Sequence, residues 1–248
     1  MMRTANPALH GETFKISETD GNVMTLSGTV NKTGLLLLFA VSTAYWSWHV
    51  YGNDLAAGTN KVAGLMIGGV IGGLIAAIVT VLKKQWAPVT APIYALLEGL
   101  FLGAISAMFN AQYPGIVVQA VGLTIGTLAF LLVAYKSGLI KPTENFKLGI
   151  VAATGGIGIV YLVSIILGMF GVNIPVIFGN SLIGIGFSVF VVVIAALNLV
   201  LDFDFIEHGA EIGAPKYMEW YAAFGLMVTL VWLYIEILRL LAKMQSRR

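Results

Sequence analysis

The chain has 248 residues and no cysteine, which excludes disulfides, thiolate metal centres and thiol nucleophiles. Charge is nearly as scarce. Fourteen Lys and Arg and twelve Asp and Glu make up 10% of the residues, against about 25% in ordinary soluble domains. With 58% hydrophobic residues, such a chain cannot cover a water-exposed surface, so a soluble globule is excluded. The formal charge of +2, with no basic cluster interleaved by aromatics, leaves no footprint for nucleic acid. The three histidines are widely separated and offer no helical pair at zinc-ligand spacing. Ser106 and Ser188 lie in apolar stretches without a nearby base, and the paired histidine-acid motif of a metalloprotease is missing. No enzymatic activity and no resident cofactor are expected.

What the chain does have is long apolar runs, at residues 34–51, 62–82, 90–110, 115–135, 148–170, 181–203 and 217–242. Each is close to the roughly 20 residues that cross a bilayer as a helix. Barrel strands would alternate apolar and polar residues, whereas Leu123 to Tyr135 and Ser188 to Leu197 are apolar on consecutive positions. Without water to satisfy the backbone, such runs must be helical. The expected fold is an all-α integral membrane protein, a seven-helix transmembrane bundle over residues 34–242. A polar segment, 1–33, precedes it and a basic tail, 243–248, follows.

No apolar run of signal-peptide length precedes residue 34, so the first span is expected to direct insertion itself. Tyr45, Trp46, Trp48 and Tyr51 near its end suit the headgroup belt. Arg239, Lys243, Arg247 and Arg248 read as an interfacial anchor. With the N-terminus cytoplasmic, that side collects Arg3, Lys15, Lys32, Lys83, Lys84, Lys136, Lys141, Lys147 and Lys216, leaving Lys61 and the C-terminal cations opposite. The positive-inside rule favours this orientation. Seven spans place the basic C-terminus outside, against the rule; six spans and a re-entrant segment would place it inside.

Of the twenty-nine glycines, nine fall into four-residue spacings: Gly64, Gly68 and Gly72; Gly69 and Gly73; Gly99 and Gly103; Gly122 and Gly126. Small residues so spaced let helices approach closely, and packing within one chain is expected before a homodimer seam. Gly155, Gly156, Gly158, Gly184 and Gly186 could in addition loosen helices that move.

Carboxylates at lipid depth are the most informative residues, because each costs several kcal/mol unless neutralised or paired. Glu98 lies inside the third apolar run, Asp202 and Asp204 close the sixth, and Glu219 opens the seventh. With the N-terminus inside, all four occupy the cytoplasmic half. Glu236 lies at the opposite end, where Arg239 at i+3 can pair with it, and reads as structural. Asn198 and Asp202 share a helical face, expected to point into the bundle. Asp204, His208 and Glu211 share another if the helix continues, although Asp204, Glu207, His208 and Glu211 read first as a solvated loop. Burial and like-charge neighbours raise a carboxyl pKa, and neighbouring acids can share a proton. Deprotonation then creates repulsion, or a site for a hard cation such as calcium. A proton-controlled latch between the third helix and the sixth or seventh is the expected mechanism.

The lead-in Met24-Thr25-Leu26-Ser27-Gly28-Thr29-Val30-Asn31-Lys32-Thr33-Gly34, the Glu98-Gly99-x-x-Leu102-Gly103 helix, and Leu201-Asp202-Phe203-Asp204-Phe205-Ile206-Glu207 together resemble the Bax inhibitor family of membrane proteins, in its bacterial branch. The resemblance implies six helices around a central seventh. It also implies a pH-sensitive calcium leak controlled by two aspartates on the last two helices. The lack of a signal segment and the compact loops suit a bacterial cytoplasmic (inner) membrane better than a eukaryotic organelle. Asp202 matches the first aspartate by its Asp-Phe context. Aligning on Leu238-Arg239-Leu240 puts Thr229 near the second, and a hydroxyl holds no charge at neutral pH. Glu98 or Glu219 could take its place. The expected pH-sensing residues are therefore Asp202, Glu98, Asp204 and Glu219, supported by Asn198, Thr229, Gly99 and Gly103. Asp202 and Glu98 are the candidate calcium ligands. The expected partners are lipid, protons and calcium, with other membrane proteins as further candidates. The alternative is a non-conducting scaffold or regulator of membrane proteins or proteases, whose acids only hold helices together.

Overall fold

A computed structural model describes residues 23–171 and 179–247. Arg3, Lys15 and Arg248, counted above among the loop and terminal cations, lie outside the described residues. Helices fill nearly everything else: α1 (Leu26–Ala57), α2 (Lys61–Leu82), α3 (Ala87–Gln112, entered through a 3-10 turn at Lys84–Trp86), α4 (Ile116–Lys136), α5 (Glu144–Met169), α6 (Leu182–Glu211) and α7 (Met218–Gln245). Six of them, α2 to α7, are long and apolar enough to cross a membrane. The first run, 34–51, lies within α1, where Tyr45, Trp46, Trp48 and His49 dilute its hydropathy.

Two boundaries differ from those the sequence suggested. The polar lead-in is not separate from the first helix: α1 begins at Leu26, because Thr25 is extended and its Oγ1 accepts from Gly28 N at 3.0 Å. This is an N-cap, the device that satisfies the free N–H groups of a helix start. At the other end of the chain, α6 runs through the acidic stretch to Glu211, so Asp204, Glu207 and His208 are helical rather than in a loop. His208 and Glu211 then approach to 3.8 Å on one face.

Contacts divide the chain into two compact units. Among the described residues, one comprises 23–114 and 206–227, the other 115–171, 179–205 and 228–247.

In the first unit, glycines set the packing of α3 against α1 and α2. A Cβ on Gly69 would stand 2.7 Å from the Leu97 carbonyl and 3.0 Å from Phe101 N, and one on Gly72 would press on the Leu97 side chain. On the other side of α3, a Cβ on Gly99 would run into Ala40 and Thr43 of α1, and one on Gly103 into Ala44. The expectation of close packing holds at these positions. It fails at Gly64, Gly68, Gly122 and Gly126, where an added Cβ meets nothing within 4 Å, because those faces look away from the rest of the chain. The hydroxyls of Thr80 and Thr90 join α2 to α3 at 2.7 Å, and Tyr94 meets Phe224 of α7 edge-on, with centroids 5.0 Å apart.

The turn between α1 and α2 has a feature no motif announced. Asn60 makes no side-chain cap for α2. Asp54, still inside α1 and 5% exposed, does so from eight residues upstream, accepting from Val62 N at 2.6 Å and Thr59 Oγ1 at 2.5 Å. The Thr59 hydroxyl, followed by the N–H groups of Val62 and Lys61 and the Lys61 charge, holds the Asp54 carboxyl below its ordinary value against the opposing effect of burial. A carboxylate at a helix N-terminus is also favoured by the helix dipole.

In the second unit, Ile157 of α5 packs with Val191 and Ile194 of α6, against Ala153, Tyr161, Phe187 and Trp232. α5 buries only Lys147, Ile150 and Ile157. The part of α7 in this unit buries Thr229, Leu230, Val231, Leu233, Glu236, Ile237, Leu238 and Ala242.

Candidate functional site

Glu98 belongs to the first unit. It sits 11 residues into α3, about 16 Å from the helix start at 1.5 Å per residue, near the middle of the span. Its side chain crosses to α2, where Oε2 lies 3.1 Å from the place a Cβ on Gly73 would occupy. Gly73 therefore makes room for the carboxylate, while Gly99, the next residue along α3, makes room for α1. The Glu98-Gly99-x-x-x-Gly103 sequence thus docks α3 on one neighbour and aims an acid at the other. Tyr94, one turn before Glu98, lies within electrostatic reach of it.

Asp202 belongs to the second unit and is fully buried, with Asn198 one turn earlier at 2% exposure. The face expected to turn inward does so. Asn198 Nδ2 donates to Thr154 Oγ1 on α5 at 3.0 Å and to the Ile194 carbonyl at 2.8 Å. Thr229, on α7 in the same unit, is buried.

The other expected acids have cationic partners. Glu219, whose side chain is completely buried, pairs with Lys32 of α1 and with Lys216 at 2.8 Å. Its Oε1 also accepts from Thr25 N at 2.9 Å and Thr25 Oγ1 at 2.8 Å. Gly28 admits this carboxylate, since a Cβ there would overlap it. The contact is reinforced where Met24 N donates to the Ala214 carbonyl at 2.7 Å and Val23 bridges to Pro215. Asp204 pairs with the buried Lys147 of α5 at 2.6 Å. Glu236 pairs with Arg239 at 3.2 Å, as the i+3 spacing suggested, and also accepts from Tyr161 of α5 at 2.9 Å. Near the end of α7, Lys243 donates to Ser188 Oγ at 2.8 Å and to the Gly184 carbonyl at 3.1 Å.

Sequence reasoning missed Lys32, Lys147 and Tyr161 as partners of acids. Nothing in spacing could have found them: Lys32 and Glu219 are 187 residues apart, and Tyr161 and Glu236 are 75 apart. Among the described residues, no three His, Asp or Glu side chains gather as a group able to hold a metal ion. The oxygens of Glu98, Asp202 and Asn198 are each hard ligands in chemical type.

These are the features of a multipass helical membrane protein with acids set inside its spans. The family model described as Bax inhibitor 1 like matches residues 6–246, nearly the whole chain, and the protein belongs to that family. No curated protein and no solved structure matches it.

Proposed function

We propose that this protein lets cations, calcium foremost, pass slowly across a bacterial cytoplasmic membrane under the control of protons, with its N-terminus in the cytoplasm. Glu98 and Asp202 are the acids that take up and release the proton, and calcium is cargo rather than a resident cofactor. The reading assigns no catalysis to the chain. Its main support is the position of Glu98. An ionised carboxylate at the centre of a bilayer costs about 2.5–3.5 kcal/mol, yet α2 keeps a glycine where any side chain would crowd it. An acid kept at that depth is a natural place for charge to come and go. Asp202, buried on α6 beside Asn198, is a second.

The alternative, a non-conducting scaffold or regulator of other membrane proteins, is favoured by a different observation. Glu219, Asp204 and Glu236 all have cationic partners within their own units, as acids that merely hold helices together would. We assign those three to structure and leave gating to Glu98 and Asp202.

Calcium flux into liposomes at graded pH separates the readings. The parent is expected to conduct with a pH-dependent rate, and Asp202→Asn and Glu98→Gln to lose that dependence. A parent that conducts nothing, with variants that lose only thermal stability, establishes the scaffold. Flux and pH response unchanged in both variants would remove the two acids from the mechanism.

A further inference from the structure

The orientation of the Asn198 amide is fixed by chemistry. A main-chain carbonyl only accepts hydrogen bonds, so the group that faces Ile194 O at 2.8 Å must be the amide nitrogen. The same nitrogen donates to Thr154 Oγ1. Oδ1 is therefore turned away from both, is fully buried, and receives no hydrogen bond from the described residues. A buried acceptor in that position calls for a donor or a cation. Four residues on, about 6 Å along the helix axis, Asp202 presents its carboxylate on the same face. With Asp202 ionised, its carboxylate and Asn198 Oδ1 both only accept, so a small species held by both must carry hydrogen or positive charge.

Building on the conduction reading above, we infer that Asn198 Oδ1 is a neutral cation-binding oxygen on the permeation path, adjacent to Asp202. Calcium accepts amide carbonyls among its oxygen ligands. A neutral oxygen beside a charged one serves conduction, which needs binding strong enough to admit the ion and weak enough to release it. Thr154 only accepts from Nδ2; the Ile194 carbonyl, which holds the same nitrogen, fixes the direction of Oδ1 without it.

The test uses the full chain in liposomes loaded with a calcium indicator, with potassium flux measured in parallel. Asn198→Leu, Asn198→Ala, Asn198→Asp and Thr154→Val are compared with the parent and with Asp202→Asn. Removing the oxygen, in Asn198→Leu or in the milder Asn198→Ala, is expected to cut calcium flux about tenfold and to lower the calcium-to-potassium ratio. Asn198→Asp, which restores an oxygen, keeps calcium flux, and Thr154→Val stays within about twofold of the parent. Parental flux and ratio in the oxygen-less variants, while Asp202→Asn has lost the pH dependence of its flux, would mean that Oδ1 holds only an ordinary buried water. That result overturns this inference and leaves the proposed function standing. Equal losses in Thr154→Val and Asn198→Leu would reduce Asn198 to a bridge between α5 and α6 and overturn it too. A parent without flux overturns the proposed function, and this inference with it.

Discussion

Glu98 and Gly73 face each other across the contact between α2 and α3, with the carboxylate oxygen 3.1 Å from where a Gly73 side chain would begin. One turn earlier, Gly69 faces the α3 main chain instead, at 2.7 Å from the Leu97 carbonyl. The two glycines do the same job for different reasons, and substitution distinguishes them.

Gly69→Ala puts a methyl group against backbone that cannot move without separating the helices, so it is expected to lower stability by about 1–3 kcal/mol. Gly73→Ala presses only on the far end of a flexible side chain and is expected to cost under about 1 kcal/mol, while displacing Glu98 and altering the pH response of calcium flux. Thermal melting in detergent gives the first comparison and liposome flux the second. A larger loss of stability in Gly73→Ala than in Gly69→Ala contradicts the assignment.

The pairing of Glu219 predicts strong non-additivity. Its carboxylate is wholly buried, whereas Lys32 and Lys216 are 19% and 42% exposed and can turn to water. With either lysine replaced by methionine, the other still neutralises the acid, and a loss of about 1 kcal/mol is expected. With both replaced, the buried charge is uncompensated and the loss rises to about 3–5 kcal/mol. Melting of the two single variants and the double variant checks this; a double-variant loss equal to the sum of the singles means that the lysines act independently.

Asp54 predicts a pH dependence that has nothing to do with conduction. Its folded pKa lies below the ordinary value of 3.8. Its contribution to stability is therefore complete at pH values above 3.8 and disappears as pH falls through the lower, folded value. Asp54→Asn should melt below the parent at neutral pH, and the gap should close in strong acid. A gap that is constant with pH would show that the ionisation of Asp54 contributes nothing, and that the α2 cap is a hydrogen bond without an electrostatic part.

The transmembrane helices were legible because lipid imposes them: apolar runs of the right length permit no other backbone. The inward face of α6 was legible too, since Asn198 and Asp202 are spaced as a helix turn requires. The start of α1 was harder, because Leu26 to Lys32 are mixed in polarity and only the Thr25 cap marks the boundary. The pairs Lys32 with Glu219, Lys147 with Asp204 and Tyr161 with Glu236 depend on which helices become neighbours, which no local pattern encodes. Glycine spacing misled for a related reason. Gly69 and Gly73 repeat as Gly122 and Gly126 do, but only the former pair has a helix against it.

The stitching of residues 23–32 to residues 214–219 also has a consequence for biosynthesis. Lys32 and Thr25 leave the ribosome 187 and 194 residues before Glu219, so the start of α1 goes without this partner until the final helix is made. The contact between the start of α1 and the start of α7 is necessarily a late event, and a chain halted before α7 lacks the anion around which residues 25–32 gather.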